Sequence, residues 1–192
     1  MHQKYCGRNC FSKEIMKMKN ILKVLFVVVV FIGIYSCNKG IDYEKMRQAE
    51  LAILNEYISL HDEFEETASG LYYYNEPGTG SGDTIKMGDQ VQIFYATWVL
   101  EKNSNGDLDS IPVDQTSGYD EGYRYEPYKF TVGAGKSVTG LEEAVTYMQP
   151  GTKSHLVINS ELAYGQNGSG SVGMFQTVLM EVEVYKVIPL EY

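Results

Sequence analysis

No cysteine follows position 37 in this chain of 192 residues. Cys6, Cys10 and Cys37 all precede the body of the protein, which therefore has neither a disulfide framework nor thiolate ligands for a metal. Histidine is as scarce, at His2, His61 and His155. His155 sits in the alternating stretch KSHLVI, which makes it a packed or solvated strand residue rather than a catalytic one. No Ser-His-Asp or Cys-His constellation can be assembled from what remains. Positive charge is short too. Six of the 16 bases but one of the 25 acids precede Cys37, which leaves ten bases against 24 acids and a charge of −14 beyond it. Such a surface repels phosphate backbones, and no basic patch interleaved with aromatics is present, so nucleic acid is not an expected partner. The longest apolar run, Val24 to Ile34, is shorter than the about 20 residues a membrane-spanning helix needs.

What is present is enough apolar character, 44% against 21% charged, to build a folded core. The segment MKMKNILKVLFVVVVFIGIYSC has a basic start, the apolar run, and a small residue before cysteine. It resembles a bacterial lipoprotein signal, with IYSC as the lipobox, although Tyr35 is an unusual occupant. That resemblance implies residues 1–36 as a leader, with a start at Met16 or Met18 preferred over Met1. It further implies Cys37 as the acylated first residue of a lipid-anchored, palmitate-bearing envelope protein. With no acid run after Cys37, a periplasm-facing domain is expected. Residues 37–68 would then form the lipidated N-terminus and a helical stalk, and residues 69–192 a separate domain.

From Asp42 to about Glu65, Met46, Ala49, Ile53, Tyr57 and Leu60 recur at helical spacing with no Pro or Gly between them. The helix is too short for a sustained coiled coil; packing on the domain, standing as a stalk and pairing with a second copy all remain open. Turn residues cluster around Gly70 and from Pro77 to Gly82. Beyond Val91 short alternating strands dominate: VQIFYATWVL, YKFTVG, SHLVIN and TVLMEVEVYKV. One further helix, GLEEAVTYM, is stopped by Pro150-Gly151. The expected fold class is α+β, an antiparallel sheet wrapped around one short helix and preceded by an N-terminal helix.

Several motifs mislead. GAGKS, Gly133 to Ser137, imitates the end of a phosphate loop, but Phe130 stands where that loop needs glycine. NGDLDS lacks the spacing and terminal glutamate of a calcium loop, and Asn105-Gly106 reads as a hairpin turn. Glu142 and Glu143 are adjacent, about 100° apart on a helix, and cannot face each other as an acid/base pair; they read as an acidic first turn. No metal or cofactor is expected.

The words GDQVQIFYA, YKFTVGAGKSVTGLEEAV, MQPGTKSHLVINSELAYG and TVLMEVEVYKV, in that order, resemble the FKBP-type peptidyl-prolyl isomerases from about Ser69 to Val187. The resemblance implies an antiparallel sheet around a short helix with a pocket between them, isomerase (rotamase) activity in protein folding, and proline-containing polypeptides as clients. It also explains the missing acid and base. Rotation about an X-Pro bond is opposed by amide resonance, over roughly 18–20 kcal/mol, and an enzyme need only bind the twisted amide better than the planar forms. Tyr164, in ELAYGQNGSG, is implied as a donor to a substrate carbonyl from the root of a glycine-rich loop. Tyr95 and Asp114 are implied beside it in the catalytic set.

Tyr128, Phe130, Val138 and Leu141 are implied in substrate binding, together with Val113, Val172, Phe175 and Met180. Leu141 takes the place of the family's pocket-floor tryptophan, and Val113 and Met180 take the place of aromatics. The only tryptophan, Trp98, lies three residues beyond Tyr95. Two hydrophobic-Asp pairs, Leu108-Asp109 and Val113-Asp114, compete for one position. The outgoing arm from Tyr95 to Gly106 is about four residues longer than the family's, so the return arm must lengthen equally, and that selects Asp114. A second reading keeps the fold without much catalysis, as a binding lipoprotein using the pocket or the insert GYDEGYRYEPY. A third is an unrelated glycan-binding lipoprotein.

Overall fold

A computed structural model describes residues 40–116 and 126–191. The leader, Cys37 and all but the end of the insert at 118–128 lie outside the described residues. Helix α1 (Tyr43–Ser59) is followed by β1 (Glu65–Glu66), β2 (Tyr72–Asn75), β3 (Gln90–Lys102), β4 (Leu108–Gln115) and β5 (Tyr128–Thr131). Helix α2 (Thr139–Ala144) then runs into a 3-10 turn at Val145–Tyr147. β6 (Lys153–Ile158), a 3-10 turn at Ser160–Leu162 and β7 (Val178–Ile188) complete the order.

β3 organises the sheet. At 13 residues it is long enough to pair with β7 along one edge and with two strands, β4 and β5, along the other. The strand order is β1-β2-β6-β7-β3-β4, with β5 beside the first half of β3, and every pairing is antiparallel. The α+β expectation therefore holds.

Alternation along β3 sends Val91, Ile93, Tyr95, Thr97 and Val99 to the inner face and Phe94, Ala96 and Trp98 to the outer one. β7 contributes Val178, Met180, Val182 and Val184 to the same inner layer, and β6 contributes Leu156 and Ile158. α2 closes it with Leu141 and Ala144, and the 3-10 turn that follows adds Val145 and, at its end, Met148, all at most 2% exposed. Gly140 is required for this closure, because a Cβ there would run into the Ile158 side chain. His155 faces outward, with Glu76 3.1 Å from its Nε2, as a solvated strand histidine.

Helix α1 ends at Ser59, six residues short of the periodic stretch. It belongs to the same compact unit as the sheet, which runs from Tyr43 onward, rather than standing apart as a stalk. The stripe that it buries is not the purely apolar one. Glu50 and Leu54 are its buried residues, while Ala49 and Leu60 are exposed. A buried carboxylate is invisible to hydrophobic periodicity, which counts Glu as solvent-facing.

Candidate active site

Between the inner face of β3 and the start of α2 lies a pocket of about 420 Å³. β3 supplies Tyr95 and Thr97, and β4 supplies Asp114. Tyr128 comes from β5, Met180 from β7 and Leu141 from α2. Leu141 is buried and belongs to the core, so the floor is aliphatic. Trp98 cannot substitute for an aromatic floor. It points to the outer face of β3, where it lines a separate cleft with Tyr57, Phe64 and His155.

The β3–β4 hairpin carries a bulge that sets the site. Thr97 pairs with Asp114 but Trp98 pairs with Pro112, so Val113 is the extra residue. Asp114 then faces Tyr95, whose hydroxyl donates to Asp114 Oδ2 at 2.7 Å, while Gln115 N–H donates to Oδ1 at 2.9 Å. Asp109, from the competing pair, sits opposite Glu101 near the far end of the hairpin. The Tyr95 backbone is tied to Thr116 in both directions, its N–H donating to the Thr116 hydroxyl and its carbonyl accepting Thr116 N–H. Burial, then the hydrogen bond to the Asp114 carboxylate and its charge, hold the Tyr95 phenol far above its ordinary pKa. It is a neutral donor throughout the physiological range.

Tyr128 is fixed differently. Its hydroxyl donates to the Lys136 carbonyl at 2.8 Å, and its ring meets Tyr95 edge-on at 6.0 Å and stacks on Phe130 at 5.5 Å. The turn that presents the Lys136 carbonyl is itself held by Glu142. That carboxylate accepts four backbone N–H groups from the GAGKS turn: Gly133 at 2.8 Å, Gly135 at 3.2 Å, Lys136 at 2.7 Å and Ser137 at 3.0 Å. The turn does cradle an anion, as its glycines suggest, but the anion is the protein's own side chain. Burial works against the charged form of Glu142, and the four N–H groups outweigh it, so its pKa is lowered.

Tyr164 stands at the mouth of the loop between the 3-10 turn and β7. Asn159 caps that turn, accepting Glu161 N–H at 3.0 Å and Leu162 N–H at 3.3 Å, and Gly165 (φ +62°) turns the chain immediately after the tyrosine. Burial, the Asp114 charge and Tyr128 raise the Tyr164 pKa. Among the described residues its hydroxyl donates to no protein acceptor, and neither does the Val138 N–H at the start of α2.

The structure thus brings Tyr95, Asp114, Tyr128, Val138, Leu141, Tyr164 and Met180 together around one cavity. Phe130 supports it from the core through Tyr128, and Val113 packs on the core from the bulge. Val172 is buried in the core rather than on the cavity wall. Phe175 turns away, its ring 6.0 Å from Tyr43 of α1. Residues the sequence reading missed include Thr97, Ala163 and Val178. Thr97 and Val178 each stand two positions from a named pocket residue, a period-2 signal that was available. Glu142 reads from sequence as part of an acidic first turn, and its loop-binding role has no signal beyond the adjacent glycines.

The family model described as FKBP-type peptidyl-prolyl cis-trans isomerase matches residues 82–185. The chain belongs to that family. Two curated FKBP relatives are similar to this chain. The chain is 31% identical over 109 residues to FK506-binding protein 1 of Aspergillus oryzae, covering 56% of this chain and 90% of the relative. It is 32% identical over 109 residues to the FK506-binding protein of Neisseria meningitidis serogroup B, covering 56% of this chain and 88% of the relative. Among solved structures, FkpA from Escherichia coli superposes with a TM-score of 0.60 at 21% identity, over 97% of this chain and 76% of that one, a likeness of fold. The protein is an FKBP-type peptidyl-prolyl cis-trans isomerase.

Proposed function

We propose that this isomerase binds X-Pro segments of unfolded polypeptides in the Leu141-floored pocket and acts as a folding helper anchored in the bacterial envelope through Cys37. The observation that carries the site reading is the contrast among three phenols. Tyr95 and Tyr128 are committed to Asp114 and the Lys136 carbonyl, whereas Tyr164 lines the same cavity with its hydroxyl uncommitted among the described residues. A proline ring enters over Leu141, and Tyr164 donates to a backbone carbonyl of the peptide. The Val138 N–H provides a second donor near the base. No proton changes hands. The twisted amide has lost some charge separation, so an apolar floor favours it over the planar forms, and each 1.36 kcal/mol of that preference is worth about tenfold in rate.

The anchoring rests on the leader sequence alone, in which a basic start, a short apolar run and IYSC precede Cys37. Two assays test the proposal separately. Isomerisation of a proline peptide by the purified chain should be catalysed, and Tyr164→Phe should weaken it; equal rates would remove Tyr164 from the site. In cells, Cys37→Ala should leave the protein unprocessed or release it from membranes. Unchanged membrane retention with an intact, unacylated N-terminus would defeat the anchoring reading.

A further inference from the structure

The most deeply held carboxylate outside the pocket belongs to α1. Glu50 is 4% exposed, and its two oxygens serve four donors. Oε1 accepts the Ser160 N–H at 2.6 Å and the Thr177 hydroxyl at 3.1 Å, and Oε2 accepts the Ser160 hydroxyl at 2.6 Å and the Arg47 guanidinium at 2.6 Å. Ser160 and Thr177 are the two ends of the segment that carries Tyr164. One side chain of the N-terminal helix therefore closes that loop at both ends. Arg47 reinforces the closure through the Ser160 hydroxyl at 3.2 Å and Glu161 at 2.9 Å, and Tyr43 meets Phe175 further along the same segment.

A buried charge is tolerated only when paired and fully hydrogen-bonded, and this one is. An apolar residue would hold a helix against a sheet with less desolvation cost, so stability alone does not account for Glu50. Its bonds are directional and meet the backbone four residues before Tyr164. The chain then turns tightly, with Gly165 N–H donating to the Ser160 carbonyl at 2.7 Å and Phe175 N–H to the Gly165 carbonyl at 3.0 Å. The position of Ser160 is passed to Tyr164 through that turn.

We propose that Glu50 is a positioning residue for isomerisation, setting the place of the Tyr164 hydroxyl by pinning both ends of its loop to α1. This rests on the reading of Tyr164 as the donor to substrate.

The test is a double-mutant cycle on the full chain, with kcat and KM measured on a proline peptide well below every variant's melting temperature. Tyr164→Phe sets the ceiling, because Glu50 acts through that hydroxyl. Glu50→Ala should lower kcat/KM by about three- to tenfold, within the worth of one hydrogen bond. Combined with Tyr164→Phe it should add less than about twofold, since residues acting on one interaction are not additive. Glu50→Gln retains an acceptor but sets an amide against one of the donor groups, so it should fall between Glu50→Ala and the parent. Thr177→Val, nearly isosteric, should show the same coupling if Glu50→Ala does not fold. A full Glu50→Ala effect persisting without the Tyr164 hydroxyl overturns the proposal, as does a lowered melting temperature with unchanged kcat/KM. An inert Tyr164→Phe overturns the donor reading as well, whereas an active Tyr164 with no coupling overturns this proposal alone.

Discussion

Asp114 accepts the Tyr95 hydroxyl at 2.7 Å across the β3–β4 hairpin, and a one-residue bulge at Val113 is what brings the two together. Without the bulge, the register set by Trp98 and Pro112 would put Asp114 opposite Ala96, on the outer face, because a one-residue slip inverts the side chains. The Asp114–Tyr95 pair commits one phenol of the pocket, and the Tyr164 hydroxyl is left uncommitted among the described residues.

Among the described residues the Tyr164 hydroxyl has no internal acceptor to lose, so Tyr164→Phe should leave the melting temperature nearly unchanged. Its kcat/KM should fall by about two- to twelvefold, the equivalent of roughly 0.5–1.5 kcal/mol for one hydrogen bond. The pH dependence follows from the raised Tyr95 and Tyr164 pKa values. A raised phenol pKa preserves the neutral donor, so these groups should leave the rate level through about pH 9 and lower it only above the ordinary tyrosine value of about 10. A fall in kcat/KM centred below pH 9 that Tyr164→Phe abolishes would contradict this.

Asp114→Asn removes the negative charge while keeping an oxygen for the Gln115 N–H. The carboxylate helps to hold the Tyr95 proton in place, so its neutralisation should lower the Tyr95 titration midpoint. Ultraviolet titration of the phenols reads this directly, and KM for a proline peptide should rise. A midpoint that does not move would detach Asp114 from the electrostatics of Tyr95.

The sheet and the first wall of the pocket were legible because they rest on local rules. The alternation of VQIFYATWVL marked the strand that carries Tyr95, and equal lengthening of the two hairpin arms selected Asp114 over Asp109. Other residues depended on tertiary contacts that no periodicity carries. Phe175 is near Tyr164 in sequence, yet its positive φ of 51° turns it toward Tyr43 rather than into the cavity. Glu50 and Glu142 are buried acids that read as surface residues, since the groups they satisfy are backbone N–H and hydroxyl donors brought in from elsewhere in the chain.

Glu142 offers a stability prediction with a defined sign. Its folded-state pKa lies below the ordinary carboxylate value of 4.5. The corresponding stability is therefore present above the unfolded pKa and lost as pH falls through the lower folded one. Glu142→Gln turns one acceptor oxygen into an amide facing two backbone donors, and should cost about 1.5–3 kcal/mol near neutral pH, the scale of hydrogen bonds to a charged group. Denaturant unfolding should show the gap between parent and variant closing in acid, below about pH 4.5. A gap that stays constant from pH 7 to about pH 3 would mean that the charge on Glu142 is not what holds the turn.

Leu141 allows the pocket to be changed in the direction opposite to loss. It is 2% exposed at the floor of a cavity of about 420 Å³, with Met180 as a flexible neighbour. Leu141→Trp adds ring area on the cavity side, where a proline ring would rest. Apolar contact at roughly 25 cal/mol per Å² limits the gain in binding to a few kcal/mol. On the core side, Leu141 packs within the layer that contains Val145 and Ile158, where a larger side chain costs about 1–3 kcal/mol through overpacking. The expected outcome is a less stable protein with a lower KM or a higher kcat/KM on proline peptides. Thermal melting separates the two effects, and tryptophan fluorescence quenched by added peptide would report contact with the new ring, since the parent's Trp98 faces the other side of the sheet. A folded Leu141→Trp whose kcat/KM and peptide binding match the parent would show that substrate does not rest on this floor.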